Sequence, residues 1–318
     1  MMMKTPRLTL VACAVLLAGA AALAGCAAKK HLTADQYFNQ ANADFRTGAL
    51  TLAIDEYHDL LDQYPFSAYN EAAELRIAHA QYLNGNYAEA IVSLTDFQRR
   101  HPTSPNLPFV GYFLGMCYVK QMVTVDRDQT ASQNAQVYFQ TIAQQYPDSP
   151  FAELAREQLA RCRENLAAHE LYIAHFYATR GNDKAAEIRW LDVASQYGET
   201  AASLDSLLQL AKLYQRRDDT QHAELAYLAL TQLHPRAPQS TQARRALDGI
   251  AKTDPPPSGD PIDLLLAANG RQRGSATLET VQVPGLEPGR GSHAPAAAPA
   301  LVPPVDPFGR GPSGGFPY

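Results

Sequence analysis

Four times this chain ends a helical-looking stretch on an aromatic or imidazole residue followed by proline, and restarts at once. The stops read QYPFSAY at 63–69, RHPTSP at 100–105, QYPDSP at 145–150 and QLHPRAP at 232–238. Proline has no N–H to give to another helical turn, so each stop ends a helix. Pro65 to Pro102 is 37 residues, Pro102 to Pro147 is 45, a degenerate stop at Tyr197-Gly198 follows 51 later, and Pro235 lies 37 beyond Gly198. Such spacing admits a helix, a turn and a second helix between stops. No such pair can bury its own apolar face, so the pairs must stack.

The spacing can be tested as a register. If each stop is position 32 of a unit, position 20 falls on Ala53, Ala90, Ala135, Ala186 and Ala223. Position 24 gives Tyr57, Leu94, Phe139, Trp190 and Tyr227, and position 27 gives Leu60, Phe97, Ile142, Val193 and Leu230. Position 8, small again, is Ala41, Ala78, Gly115, Ala174 and Ala211. Small residues let paired helices approach, and large apolar ones fill the layer between pairs. A period a little above 34 with this pattern resembles tetratricopeptide repeats. The expected fold is therefore all-α, a tetratricopeptide solenoid of about five helical hairpins, with a looser helical solenoid as the alternative. Thr33-x-x-Gln36 predicts a capping box opening the first unit. Ser149-Pro150 predicts a fresh helix start. The third unit carries an insertion around VDRDQT at 125–130, and the breaker-free run 151–178 predicts one long helix. That helix would divide units one to three (33–148) from units four and five (149–251).

The ends of the chain are of another kind. Lys4 and Arg7 precede an apolar run from Leu8 to Leu23, which leads into Leu-Ala-Gly-Cys at 23–26. A basic start, a short apolar core and small residues read as a secretory signal over 1–25. The motif resembles the lipobox of bacterial lipoproteins, in which the cysteine, here Cys26, is acylated and becomes the first mature residue. An ordinary signal peptide with a chance cysteine is the alternative. Two or three acyl chains anchor a protein stably. In lipoproteins of bacteria resembling the enteric type an Asp after the cysteine retains the protein in the inner membrane, so by that resemblance Ala27 favours the outer one. The linker 26–32 spans at most roughly 25 Å, so the repeats would lie close to the bilayer. Without Lys4 and Arg7 the 27 basic residues become 25 against 32 acidic ones, a balance that argues against nucleic acid as the partner. After Ala251 lie 13 of the 22 prolines and 10 of the 19 glycines. Segment 252–318 is thus read as a disordered Pro/Gly-rich tail; its one helix-like island, Ile262 to Ala268, is too short to stand alone. Cys117 and Cys162 could pair or remain as two small buried thiols.

Positions 2, 5, 9 and 12 of each first helix share a face, and stacking turns that face into a concave groove. Unit one supplies Asp35, Phe38, Asn42 and Phe45; unit two Ala72, Leu75, His79 and Tyr82; unit three Phe109, Tyr112, Met116 and Val119. Units four and five supply Ala168, Leu171, His175 and Ala178, then Asp205, Leu208, Lys212 and Gln215. The groove is aromatic in the first three units and small or polar in the last two. Phe38, Phe45, Leu75, Tyr82, Phe109 and Tyr112 are the candidate contacts for an extended peptide with aromatic side chains. Catalytic signatures are missing from the sequence: there is no G-x-S-x-G, no phosphate-binding loop and no metal-spaced Cys or His set. His169 and His175 are six apart, on different helix faces, where a zinc helix needs four. No cofactor and no enzymatic activity are expected.

The lipobox, the five units and the phrases YPFSAY, RRHPTSPN, VDRDQT and YPDSPFAE, in that order, resemble the BamD family. This is the lipoprotein component of the β-barrel assembly machinery of the outer membrane, and the resemblance covers about residues 26–250. It implies a non-enzymatic scaffold on the periplasmic face. Its N-terminal units would receive C-terminal segments of unfolded outer-membrane proteins. Its C-terminal units would dock the last POTRA domain of BamA, with other Bam lipoproteins as further partners. By its place in RGNDKAAEIR, Arg189 matches an arginine of the BamA contact. Two features depart from the family: Gly198 replaces a hinge proline, which would leave that hinge less fixed, and the long tail has no counterpart. A tetratricopeptide coordinator of cell-wall synthesis, similar to CpoB, is the other reading; a lipobox seven residues before the first helix argues against it.

Overall fold

The computed structural model describes residues 32–250 and 258–273. Among them are twelve helices and no strand. Five hairpins follow one another: α1 (Ala34–Thr47) with α2 (Leu50–Gln63), α3 (Asn70–Leu83) with α4 (Tyr87–Arg100), α5 (Leu107–Val119) with α6 (Thr130–Gln145), α7 (Phe151–Thr179) with α8 (Asp183–Gln196), and α9 (Ala201–Arg216) with α10 (Thr220–Leu233). Two further helices are α11 (Pro238–Gly249) and α12 (Pro261–Ala268). This is the all-α hairpin array that the register predicts; Cys26 and the expected signal segment 1–25 lie outside the described residues.

Every register position behaves as its size requires. The five alanines at position 20 are fully buried, and no residue at positions 24 or 27 is more than 5% exposed. The hinges share one backbone state as well. Tyr64, His101, Tyr146, Tyr197 and His234 have φ from −131° to −122°, and each amide donates to the carbonyl of the position-27 residue one turn back. The hinge at Tyr197 keeps this geometry although glycine follows it. In the short turns of the first, second and fourth hairpins a left-handed residue is supplied by Gly48, Gly85 and Gly181 at φ 84°, 82° and 72°. In the fifth hairpin Asp218 takes that place at φ 56°, which a short polar side chain tolerates.

The chain divides into two compact units between Ala73 and Glu74, inside α3. In the smaller unit α1 packs on α2. The Tyr57 hydroxyl donates to Asn42 Oδ1 at 2.7 Å, Gln63 Nε2 donates to the Tyr37 hydroxyl at 2.8 Å, and the Tyr64 hydroxyl donates to the Leu32 carbonyl at 2.7 Å. Both halves of the capping box are present: Gln36 N–H donates to Thr33 Oγ1 at 3.3 Å, and Thr33 N–H donates to Gln36 Oε1 at 2.9 Å. Thr33→Ala is expected to destabilise α1 by about 1 kcal/mol, read as faster amide hydrogen exchange in α1 with the larger unit unaffected. Unchanged exchange there would show that packing on α2 alone holds the helix.

The larger unit has two main apolar cores. One joins α3 to α6 and the start of α7 around Leu94, Phe97, Leu114, Phe139 and Ile142; the other joins α7 to α12 around Trp190, Leu207, Leu210, Tyr214 and Leu230. Helix α7 is common to both, through Phe151, Ala155 and Cys162 in the first and Ala174 in the second. At its start Ser149 Oγ accepts the Phe151 amide at 3.2 Å and Pro150 is already helical. Cys117 and Cys162 are buried free thiols; burial pushes them to about 12 and about 11, so they behave as small apolar residues. Helix α12 falls in the Pro/Gly-rich segment and does not stand alone. Ile262, Leu265 and Leu266 are buried in the second core, on α8 and α10.

Candidate functional site

Within the larger unit, the first-helix face is a continuous set of ring contacts. Phe109 lies 5.5 Å edge-on from the His79 ring and 4.6 Å from Phe113, and Phe113 in turn meets Tyr82 at 5.1 Å and Tyr112 at 5.5 Å. Tyr112 also meets Phe139 and Phe151. Edge-to-face and tilted geometry of this kind adds to simple burial. Leu75 and Phe109 are buried in the set and form its backing; Tyr82 and Tyr112 keep part of their rings accessible. Burial pushes the Tyr82 hydroxyl up to about 12. His79, mostly enclosed by these rings, is lowered to about 4 by burial first and by the charge of Arg76 second.

Next to this face is a cleft of about 410 Å³ between the end of α5 and the middle of α7. Val119, Met122 and Ala168 give it an apolar lining, and Arg161, Glu164 and Asn165 give it a polar one. Glu164 is engaged elsewhere, since both carboxylate oxygens accept the Ala201 amide at 3.2 Å. Asn165 is engaged too. Its amide donates to Gln129 Oε1 at 2.6 Å and Ser132 Oγ at 2.9 Å, while Gln129 Nε2 donates to the carbonyls of Thr124 and Arg127. His169 Nδ1 lies 2.6 Å from the Val125 carbonyl. The inserted loop is therefore pinned onto α7.

In the smaller unit Phe38 is held between two rings, stacked on Tyr69 at 4.8 Å and tilted to Tyr57 at 6.0 Å. The Tyr69 hydroxyl donates to Asp35 at 3.0 Å. Phe45 is half-buried. At the other end of the chain, Arg189 is half-exposed and donates to Glu170 Oε2 at 2.7 Å, next to Ile188, which is 40% exposed, and Trp190, which is buried. Close in sequence on α7, Tyr172 and Phe176 are exposed, and the Arg180 guanidinium lies 3.6 Å over the Phe176 ring.

Sequence reasoning missed three of these residues. Glu170, the internal partner of Arg189, has no sequence signal, because the two are 19 residues apart on different helices. Arg161 and Asn165 fall in the first half of α7, which corresponds to no repeat position and so to no groove position. Their spacing with Glu164 and Ala168, one face of a 3.6-residue helix, was the available signal.

Paired helices, hinges that share one backbone state and fully buried register positions define a helical-repeat protein. Among the described residues no His, Cys, Asp and Glu cluster could hold a metal, and no helix is long and apolar enough to cross a membrane. The family model described as YfiO, outer membrane lipoprotein, matches residues 30–229, and the chain belongs to that family. Similar curated proteins carry the name outer membrane protein assembly factor BamD. That of Caulobacter vibrioides is 30% identical over 203 residues, covering 61% of this chain and 67% of that one. That of Vibrio cholerae is 29% identical over 227 residues, covering 67% and 94%. A solved complex of the TPR2AB domain of yeast Sti1 aligns at 15% identity with a TM-score of 0.36, over 68% of this chain and 84% of that one; a likeness that slight adds nothing to the hairpin array itself.

Proposed function

We propose that this chain is a lipid-anchored, non-enzymatic scaffold of outer-membrane protein assembly. Cys26 carries the lipid and holds the protein on the periplasmic face of the outer membrane. The accessible rings Tyr82 and Tyr112, backed by Leu75 and Phe109, receive the C-terminal segments of unfolded outer-membrane proteins; Phe38 and Phe45 are the corresponding contacts of the smaller unit. Arg189 belongs to the surface that docks the POTRA domain of BamA, and other Bam lipoproteins complete the assembly. The observation that carries this reading is the extent of the family match. It takes in the first four hairpins and most of the fifth, so the ring face and Arg189 both lie within the inherited part of the chain.

Arg189→Glu tests the docking half. The substitution sets a second carboxylate against Glu170 and removes the cation a partner's acidic group would meet. If that contact is partly desolvated, the loss costs roughly 2–5 kcal/mol, on the order of 30-fold or more in affinity. The full chain, recovered from outer membranes, should then bring down far less BamA than wild type at equal expression and equal melting temperature. A Cys26→Ser chain in the same experiment should lose palmitate labelling and leave the membrane fraction. Undiminished BamA recovery with Arg189→Glu would remove Arg189 from the docking surface, and persistent labelling of Cys26→Ser would remove the anchor.

A further inference from the structure

The cleft beside the ring face contains a cation whose role nothing above explains. Arg161 lines it from α7. Its Nη1 donates at 3.0 Å to Gln158 Oε1, a neutral amide, and among the described residues it forms no ion pair. Glu164, which lines the same cleft, is held by the amide at the start of α9. The one uncommitted charge of the cleft is therefore positive. It also lies next to the accessible rings. The Tyr112 hydroxyl is raised above the ordinary phenol range by burial first and by Glu157 second, and the Arg161 charge acts on it in the opposite sense.

We propose that Arg161 binds the free terminal carboxylate of an incoming polypeptide, whose last side chain fills the cleft over Val119, Met122 and Ala168. This rests on the reading that C-terminal segments are received here, and it adds the group that recognises the end itself. A guanidinium is the natural partner, because its planar fork matches the two oxygens of a carboxylate. Two features favour a chain end over an acidic side chain. Glu157 and Glu164 stand one turn to either side of Arg161 on α7, so the local field admits a single carboxylate and repels an acidic run. At a chain end the carboxylate sits directly on the last Cα, so one residue can meet Arg161 and fill the apolar lining together. An internal Asp or Glu uses its own side chain for the charge and leaves the lining empty.

The test uses the full mature chain in detergent and a fluorescent decapeptide of alternating apolar residues ending in Tyr-Gln-Phe, as the free acid and as the C-terminal amide. Wild type should bind the acid at least about tenfold more tightly than the amide, with the difference shrinking as salt rises. Arg161→Gln should bind both forms alike, at the affinity wild type shows for the amide, and Arg161→Lys should recover part of the difference; melting temperatures should match throughout. Equal binding of acid and amide by wild type, with both weakened by Tyr112→Ala, would overturn the role of Arg161 while leaving peptide reception standing. An amidated peptide with an internal Glu that binds as tightly as the free acid would assign Arg161 to side-chain carboxylates and overturn the proposal. Failure of wild type to bind any of the peptides would remove both readings.

Discussion

A single methyl group added at residue 115 is expected to lower the stability of the larger unit by about 1–2 kcal/mol. Gly115 occupies the small position of α5, where four other units carry alanine. A Cβ built there meets Phe139 Cε1 and Cζ, both at 2.7 Å. Phe139 is fully buried and lies against the Tyr112 ring, with centroids 5.8 Å apart. The ring therefore has no open space to move into, and overpacking of this kind costs typically 1–3 kcal/mol. Helix propensity acts the other way, since alanine improves on glycine by about 1 kcal/mol in a helix interior. The steric term wins because the contact is far inside van der Waals distance and the neighbour is fixed. Urea unfolding of Gly115→Ala measures the loss. Pairing the change with Phe139→Leu should cost less than the sum of the two single substitutions. A neutral Gly115→Ala would mean that the contact with Phe139 costs no more than the roughly 1 kcal/mol that helix propensity returns.

The second large effect is acid sensitivity centred on His79. In the unfolded chain a histidine protonates near 6.5; in the fold His79 is lowered to about 4. Between these values the unfolded state binds the proton and the folded state does not, so stability falls as pH falls. The loss begins near pH 6.5, grows as pH drops and is complete near pH 4, at about 3 kcal/mol for a shift of this size. His234, lowered by its own burial with a partial offset from Glu164, acts in the same direction. His79→Leu keeps an apolar group against Phe109 and Phe113 and should flatten the slope between pH 6.5 and 4 in urea melts. An unaltered slope would move the acid sensitivity to other groups.

The reach of the sequence can be judged residue by residue. The hairpins were legible because two independent signals coincide: a proline that cannot continue a helix, and alanine at a fixed distance before it. The long α7 was legible because nothing in 151–178 interrupts it. The capping box at Thr33 was legible because it is local. What lay beyond the sequence is tertiary. The division of the chain at Ala73 falls inside a helix with no breaker near it. Which groove residues are backing and which are accessible depends on ring contacts, so Leu75 and Tyr82 look alike in a list of positions and differ in the fold. Arg161 stands outside the repeat grammar, and only the fold brings it to a cleft shared with Val119 at the end of α5.

Helix α12 changes what counts as the protein. The family model matches the chain as far as residue 229, yet Ile262, Leu265 and Leu266 are seated in the second core beyond it. Asn269 donates to the Tyr214 hydroxyl at 3.4 Å, and Arg271 fastens the end of the helix to Asp192 at 2.5 Å and to the Ile188 carbonyl at 3.2 Å. Anyone trimming this chain to its inherited outline would strip a lid from α8 and α10 and leave a greasy scar on the product. Clumping of such a fragment would say nothing about whether the repeats can fold, only that homology was used as a ruler where packing was needed.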